Sequence, residues 1–214
     1  EANFRNISMP HYKLHYFEAR GYGEVSRMLF ALAGVEYEDH RFTHETFPAH
    51  KNEFPFGQLP VLEVDGKQIP QSTAVARYLA KEFGYAGKCN FEAAWVDALG
   101  DQLKDYFQEM RVYMMTVAGR MEGDVEKAKK ESGEPARDKF FDILEKRLAS
   151  SSSGFLVGDS VTWVDLAIAD HIHTLTGIVP GFLDAFPNVL AHKAKVYGIP
   201  KISEWIAKRP VTIF

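Results

Sequence analysis

Strand-type periodicity is confined to the part of the chain before Gly84, and every periodic segment beyond it is helical. Few architectures accommodate that asymmetry. Tyr12, Leu14 and Tyr16 alternate with Lys13, His15 and Phe17, the period-two pattern of a short strand. Val25, Met28, Leu29 and Leu32 then follow helical spacing, and Gly34 is placed to end that helix. Residues 36–43 predict a second strand, and 47–54 a short irregular helix. The runs 61–64 and 67–69 flank Asp65-Gly66, a dipeptide suited to a type I′ hairpin turn. A helix over 72–83, with Ala76, Tyr78 and Leu79 as core contacts, completes the order βαβαββα. The opening βαβ unit favours parallel pairing, and the last two strands must be antiparallel.

Beyond Gly84-Tyr85-Ala86-Gly87 the pattern changes. Trp95, Leu99, Leu103, Tyr106, Phe107 and Met110 mark a long helix, and Phe140, Phe141, Leu144 and Leu148 another. The charged stretch from Glu122 to Arg137 reads as a solvated face, and Ser150 to Gly154 as a loop. Further helices are expected at 163–177, 187–197 and 200–208, the last two led by Pro187 and Pro200. The fold class is therefore α+β. The expected division is a leading segment 1–8 (a tag scar or a native extension), a mixed unit 9–85, a linker 86–90 and an all-helical unit 91–214.

Composition narrows the function. Twenty-five Lys+Arg against 29 Asp+Glu give a net charge of −4, no electrostatic reason to expect nucleic acid. The longest apolar run, Met28 to Val35, falls far short of the ~20 residues of a membrane span. The single cysteine, Cys89, excludes an internal disulfide, a thiolate zinc finger and a CxxC redox pair. His171 and His173 lie two apart on one helix and point to different faces, and His40 and His44 have no third ligand at sensible spacing, so no metal is expected. Thr162-Trp163-Val164-Asp165 reads as a reciprocal N-terminal cap, a folding element. What remains is a protein acting on something small or on another protein.

Four ordered motifs then carry a resemblance. Tyr12-Lys13-Leu14-His15-Tyr16-Phe17-x-x-Arg20-Gly21 with Glu24, Pro55-Phe56-Gly57-Gln58-Leu59-Pro60, Gln71-Ser72-x-Ala74-x-Ala76-Arg77-Tyr78-Leu79, and Gly158-x-Ser160-x-Thr162-x-x-Asp165 stand in the order and at the separations of cytosolic glutathione transferases. Lys208-Arg209-Pro210 is similar to the family's tail. The chain from Pro10 to Phe214 resembles the sigma class and its invertebrate relatives, which include glutathione-dependent prostaglandin D synthases. The resemblance implies a thioredoxin-like N-terminal domain packed on a helical one, glutathione as co-substrate, a homodimer, and small hydrophobic electrophiles as acceptors. It also implies a cytoplasmic protein. A secreted form glycosylated at Asn6, in the sequon Asn6-Ile7-Ser8, is the alternative if the leading segment is native.

The chemistry can be attached residue by residue. A free thiol has a pKa near ~8.5, so a glutathione enzyme must stabilise the thiolate, at about 1.4 kcal/mol per unit of depression. The resemblance makes Tyr16 the neutral phenol that donates to the sulfur. It implies a cis Pro60, which exposes the Leu59 backbone to the cysteinyl segment as a strand would be. It places Gln71-Ser72 at a helix N-terminus facing the γ-glutamyl carboxylate, with Ser72 also a candidate N-cap. Lys51, beside Gln58, and Phe47 would meet the glycyl end, and Asp105 would reach the α-amino group from the partner subunit. Tyr22, Phe107 and Met110 are candidates for the apolar acceptor surface.

Departures from the sigma pattern matter as much. Tyr22 stands where an arginine is common, and Phe47 where a tryptophan is. Lys104 and Val112 replace an acidic residue and a tryptophan of the vertebrate prostaglandin D synthases. Glutathione binding is the firm expectation, with prostaglandin-H2 D-isomerase activity less favoured by these residues. The alternative is a non-catalytic glutathione-binding or S-crystallin-like structural protein.

Overall fold

The computed structural model describes residues 10–212. The leading segment 1–8 and the Asn6 sequon lie outside the described residues. Strand β1 (Tyr12–Phe17), helix α1 (Glu24–Ala33), β2 (Glu38–Phe42), the short α2 (Phe47–His50), β3 (Val61–Val64), β4 (Lys67–Pro70) and α3 (Ser72–Phe83) reproduce the expected βαβαββα order. The strands form one sheet in the order β2-β1-β3-β4, with β1 and β2 parallel and the other two pairs antiparallel. Asp65 and Gly66 both take positive φ (48° and 80°), as a type I′ turn requires. Strand β2 is shorter than the 36–43 expected, because residues 36 and 37 fall outside the ladder with β1.

The helical unit comprises α4 (Asn90–Val117), α5 (Val125–Ala128), α6 (Glu134–Ala149), α7 (Trp163–Ile178), α8 (Pro187–Tyr197) and α9 (Pro200–Lys208). The stretch 122–137 is not merely a solvated face. It contains α5, a π-turn over residues 129–133 and the start of α6, and it buries the small residues Ala128, Gly133 and Ala136. Gly133 permits contact there, since a Cβ would sit 2.6 Å from the ring of Tyr113.

Helix α7 is the apolar axis of this unit and begins with a buried cap. Asp165 accepts hydrogen bonds from the Thr162 backbone N–H (2.8 Å) and hydroxyl (2.7 Å), so one carboxylate serves a polar helix end. The same carboxylate accepts from the Leu156 N–H (2.9 Å) and meets His192 Nε2 (2.8 Å), tying the preceding loop and α8 to α7.

The two halves share one core. Tyr12 packs edge-on against Phe30 and Phe83, as a packing residue. The Trp163 backbone N–H donates to Tyr85 O (3.0 Å), and the indole presses on α4 where the chain carries Gly100. A Cβ at Gly100 would lie 2.1 Å from that buried indole. Gly100→Ala gains about 1 kcal/mol of helix propensity but must displace Trp163, for a net loss of about 2 kcal/mol. Thermal unfolding is expected to fall by about 4–8 °C.

Candidate active site

The ladder register gathers the candidate residues at one end of the sheet. His15 opposes Val61 across β1 and β3, and Val61 opposes Pro70 across β3 and β4. The next step along each strand therefore brings Tyr16, Pro60 and Gln71 abreast. The Leu59–Pro60 peptide is cis. Gln71 takes φ 75° and ψ 119°, a conformation that non-glycine residues adopt only at a cost of about 1–3 kcal/mol. Gln71 occupies the N-cap position of α3, and Ser72 is the first helical residue, so the expectation that Ser72 is the cap is corrected. The positive φ at Gln71 turns the chain from β4 into the helix one residue earlier.

Tyr16 is nearly buried, and its hydroxyl accepts a hydrogen bond from the Tyr22 N–H (2.9 Å). The turn that delivers this N–H requires glycine. A Cβ at Gly21 would lie 2.6 Å from the Tyr16 hydroxyl, and one at Gly23 2.5 Å from its ring. Burial pushes the Tyr16 phenol above its ordinary value, opposed by the Tyr22 N–H and the positive charges of Arg27 and Arg120. The group is therefore a neutral O–H at physiological pH, with one lone pair occupied and its proton free to be donated outward. Arg120, beyond the end of α4, was not among the sequence candidates. Nothing in its own neighbourhood of the sequence links it to β1.

Beside this turn, α2 and the loop after it rest on an aromatic cluster of Phe42, Phe54 and Val61 with Phe17, Phe47 and Leu59 packed against it. Phe47 contacts Phe17 edge-on at 5.3 Å. Lys51 and Gln58 are exposed, and the Lys51 stem lies where a Cβ on Gly57 would come within 3.1 Å. Ser72 is half-buried at the start of α3, whereas Asp105 is exposed on α4. On the other side of Tyr16, the exposed Tyr22 ring meets Phe107 edge-on at 5.9 Å. Phe107 in turn meets His171 at 4.8 Å, and His171 Nε2 lies 3.1 Å from the Tyr106 hydroxyl. Met110 is the exception: it is 1% exposed within the helical core and presents no surface. Its assignment to the acceptor surface is corrected, and His171 takes the place behind Phe107. A histidine in the otherwise apolar run 166–169 and 172 was the available signal.

Residues 12–81 match the glutathione S-transferase N-terminal domain, and residues 105–209 match the glutathione S-transferase C-terminal domain. A probable glutathione S-transferase 5 of Caenorhabditis elegans is 52% identical over 96% of this chain and 100% of its own length. Solved structures agree. A Nu-class enzyme from Haemonchus contortus is 51% identical (TM-score 0.90, 96% of this chain and 100% of that one). A glutathione S-transferase of Necator americanus described as monomeric is 50% identical (TM-score 0.92, 95% and 100%). A prostaglandin synthase D of Nilaparvata lugens is more distant, at 33% identity (TM-score 0.83, 95% and 100%). The chain belongs to the glutathione S-transferase family, and it is an enzyme of that family.

Three histidines of the two units are held neutral. Burial lowers His171 to about 3 and His173 to about 4, the latter helped by Arg20, Lys193 and Arg209 against Glu24. Burial also lowers His15, opposed by Glu63 and reinforced by His40 and Lys13; its Nδ1 lies 3.0 Å from that of His40. In the unfolded chain all three titrate near ~6.5, so unfolding takes up protons below that pH. The stability from keeping them neutral is present above about pH 6.5 and is lost as pH falls below it. The melting temperature is expected to drop between about pH 6.5 and 5, ahead of carboxylate titration. A flat profile across that window would contradict the assignment.

Proposed function

We propose that the enzyme conjugates the thiolate of reduced glutathione to small hydrophobic electrophiles. The observation that carries this is the Tyr22 N–H bond to the Tyr16 hydroxyl, which orients a neutral O–H donor towards the mouth of the site. The thiol proton leaves to solvent, and Tyr16 donates to the resulting sulfur anion. The sulfur then attacks the electrophilic carbon, forming an S–C bond as the leaving group departs or, in an addition, as the electron pair moves onto the acceptor.

The tripeptide lies along the sheet end. The Leu59 backbone beside cis Pro60 pairs with the cysteinyl segment, and Gln71 with Ser72 at the α3 N-terminus takes the γ-glutamyl carboxylate. Lys51, Gln58 and the Phe47 platform take the glycyl end. Asp105, exposed on α4, serves the α-amino group of a ligand in the partner subunit, so the working form is a homodimer. Tyr22 and Phe107, backed by His171, form the acceptor wall. The strain at Gln71 supports a ligand contact there, since strained backbone concentrates at binding sites.

The half-identical Haemonchus enzyme, described as Nu-class, supports a Nu-type reading, and Tyr22, Phe47, Lys104 and Val112 are the departures from the sigma pattern that leave room for it. Prostaglandin-H2 isomerisation is the second reading, supported by the likeness to the Nilaparvata protein and decided by product analysis with the endoperoxide. Among the described residues no helix is long and apolar enough to cross a membrane, and no group of three or more His, Cys, Asp or Glu could hold a metal. A cytoplasmic detoxifying role fits, with working boundaries at 9–85, 86–90 and 91–214.

Tyr16→Phe removes the donor without removing the ring. With a chlorinated dinitrobenzene as acceptor, kcat/KM is expected to fall about 10- to 100-fold, with glutathione KM little changed. The pKa of bound glutathione, followed by thiolate absorbance, should rise by about 1–2 units, in line with that rate loss. A Tyr16→Phe enzyme matching wild type in both would defeat the mechanism. Asp105→Ala should raise glutathione KM severalfold while light scattering still gives the mass of a dimer; a wild-type monomer would defeat the shared-site reading.

A further inference from the structure

A guanidinium lies buried behind the proposed thiol donor, and no part of the mechanism above uses it. Arg27, on α1, is fully buried. Its Nη1 donates to Ala19 O (2.6 Å) and its Nη2 to Phe17 O (3.3 Å), two carbonyls of the segment that leaves Tyr16. Its Cζ lies 5.6 Å from the centre of the Tyr16 ring. The same segment carries Arg20, which donates to Asp170 (2.8 Å) and Thr174 (2.9 Å) on α7, and then turns back to present the Tyr22 N–H.

Two carboxylates also meet Arg27, whose five N–H groups serve them together with the carbonyls, and each carboxylate is shared with another arginine. Asp39 meets Arg27 Nε at 3.1 Å but binds Arg41 more closely, at 2.6 Å. Glu24 lies 3.4 Å from Arg27 Nη1, while its other oxygen accepts from Arg209 (2.8 Å) and the Trp205 indole N–H (2.7 Å). Arg209 and Trp205 belong to the C-terminal end of the chain, and Arg209 also reaches Asp170 (3.2 Å). Buried charge is tolerated when each group is paired, and removing one partner redistributes the rest. Without Arg209, the whole Glu24 charge would act on Arg27 Nη1, the same nitrogen that holds Ala19 O.

We propose that Arg27 is a positioning residue for Tyr16, fixing the Phe17–Ala19 backbone so that the Tyr22 N–H stays on the Tyr16 hydroxyl, and that Arg209 and Trp205 of the C-terminal tail hold it there through Glu24. The inference rests on the reading of Tyr16 as thiol donor and extends the site to the far end of the chain. Arg27 touches neither ligand nor reacting atom.

The test compares wild type, Arg27→Lys, Arg209→Gln, Arg209→Lys and Trp205→Phe as full chains, each with 3-fluorotyrosine at position 16. Two readouts are taken: the fluorine resonance of residue 16 without ligand, and the pKa and kcat of bound glutathione. Arg27→Lys keeps the charge but loses the two-pronged grip on the carbonyls. Arg209→Gln unbalances Glu24 while leaving Arg27 intact, so the proposal stays testable if Arg27→Lys fails to fold. Both are expected to shift or broaden the residue-16 resonance, raise the bound thiol pKa and lower kcat by about tenfold, with glutathione KM changed less. Arg209→Lys should restore most of the loss, and Trp205→Phe should show a smaller effect of the same sign. If Arg209→Gln folds and keeps the wild-type resonance, thiol pKa and kcat, the proposal is overturned. If wild type itself forms no thiolate, the glutathione reading fails, and the ligand-free resonance still decides whether Arg27 and Arg209 position Tyr16.

Discussion

The site depends on the antiparallel register through which β3 is held between β1 and β4. His15, Val61 and Pro70 lie on one line across the sheet, and the residues that follow or precede them on that side are Tyr16, Pro60 and Gln71. A slip of one residue would turn Tyr16 to the opposite face, where Phe42, Phe54 and Val61 build the aromatic cluster. The register is pinned by the tight turn at Asp65-Gly66 and by the different character of the two faces. Tyr12 joins the core shared with the helices and the Tyr16 ring faces Arg27 of α1, whereas His15 packs on Phe54 and Phe17 on Phe47 of α2. Geometry at the candidate site is thus inherited from a turn at the other end of the hairpin.

A second constraint comes from charge. Arg20, Glu24, Arg27, Asp170 and Arg209 are all buried where α1, α7 and the chain terminus meet. Such a cluster is no source of net stability by itself, because desolvation offsets the attraction. It does fix geometry, since each member accepts only an arrangement that leaves none of the others unpaired. The mixed sheet and the helical unit are joined by the contact around Trp163, by Arg77 of α3 paired with Asp97 and Asp101 of α4, and by this polar lock, the one of the three that is fully buried charge.

The fold was legible wherever apolar spacing was dense. The β1 alternation, the α1 stripe and the Asp65-Gly66 turn each follow from local chemistry, and the structure reproduces them. Helix α5 and the π-turn after it were hidden, because their contacts are made by Ala128, Gly133 and Ala136, which leave no apolar period among lysines and glutamates. Met110 sits at helical spacing from Leu103 and Tyr106, so its own period already assigned it to the core. The distant partners of Arg20 and Glu24 were not legible at all: Asp170 and Arg209 lie far away in the chain, and nothing local in either segment encodes the meeting.

Gln71 carries one more consequence. Its backbone occupies a region that glycine enters freely and glutamine does not, so the position works against the stability of the chain as it stands. A selection for thermal resistance alone would find glycine there and would be rewarded. If the proposed γ-glutamyl contact of Gln71 holds, folding and function make opposed demands on this one residue, and relief of its strain by glycine would cost ligand contact.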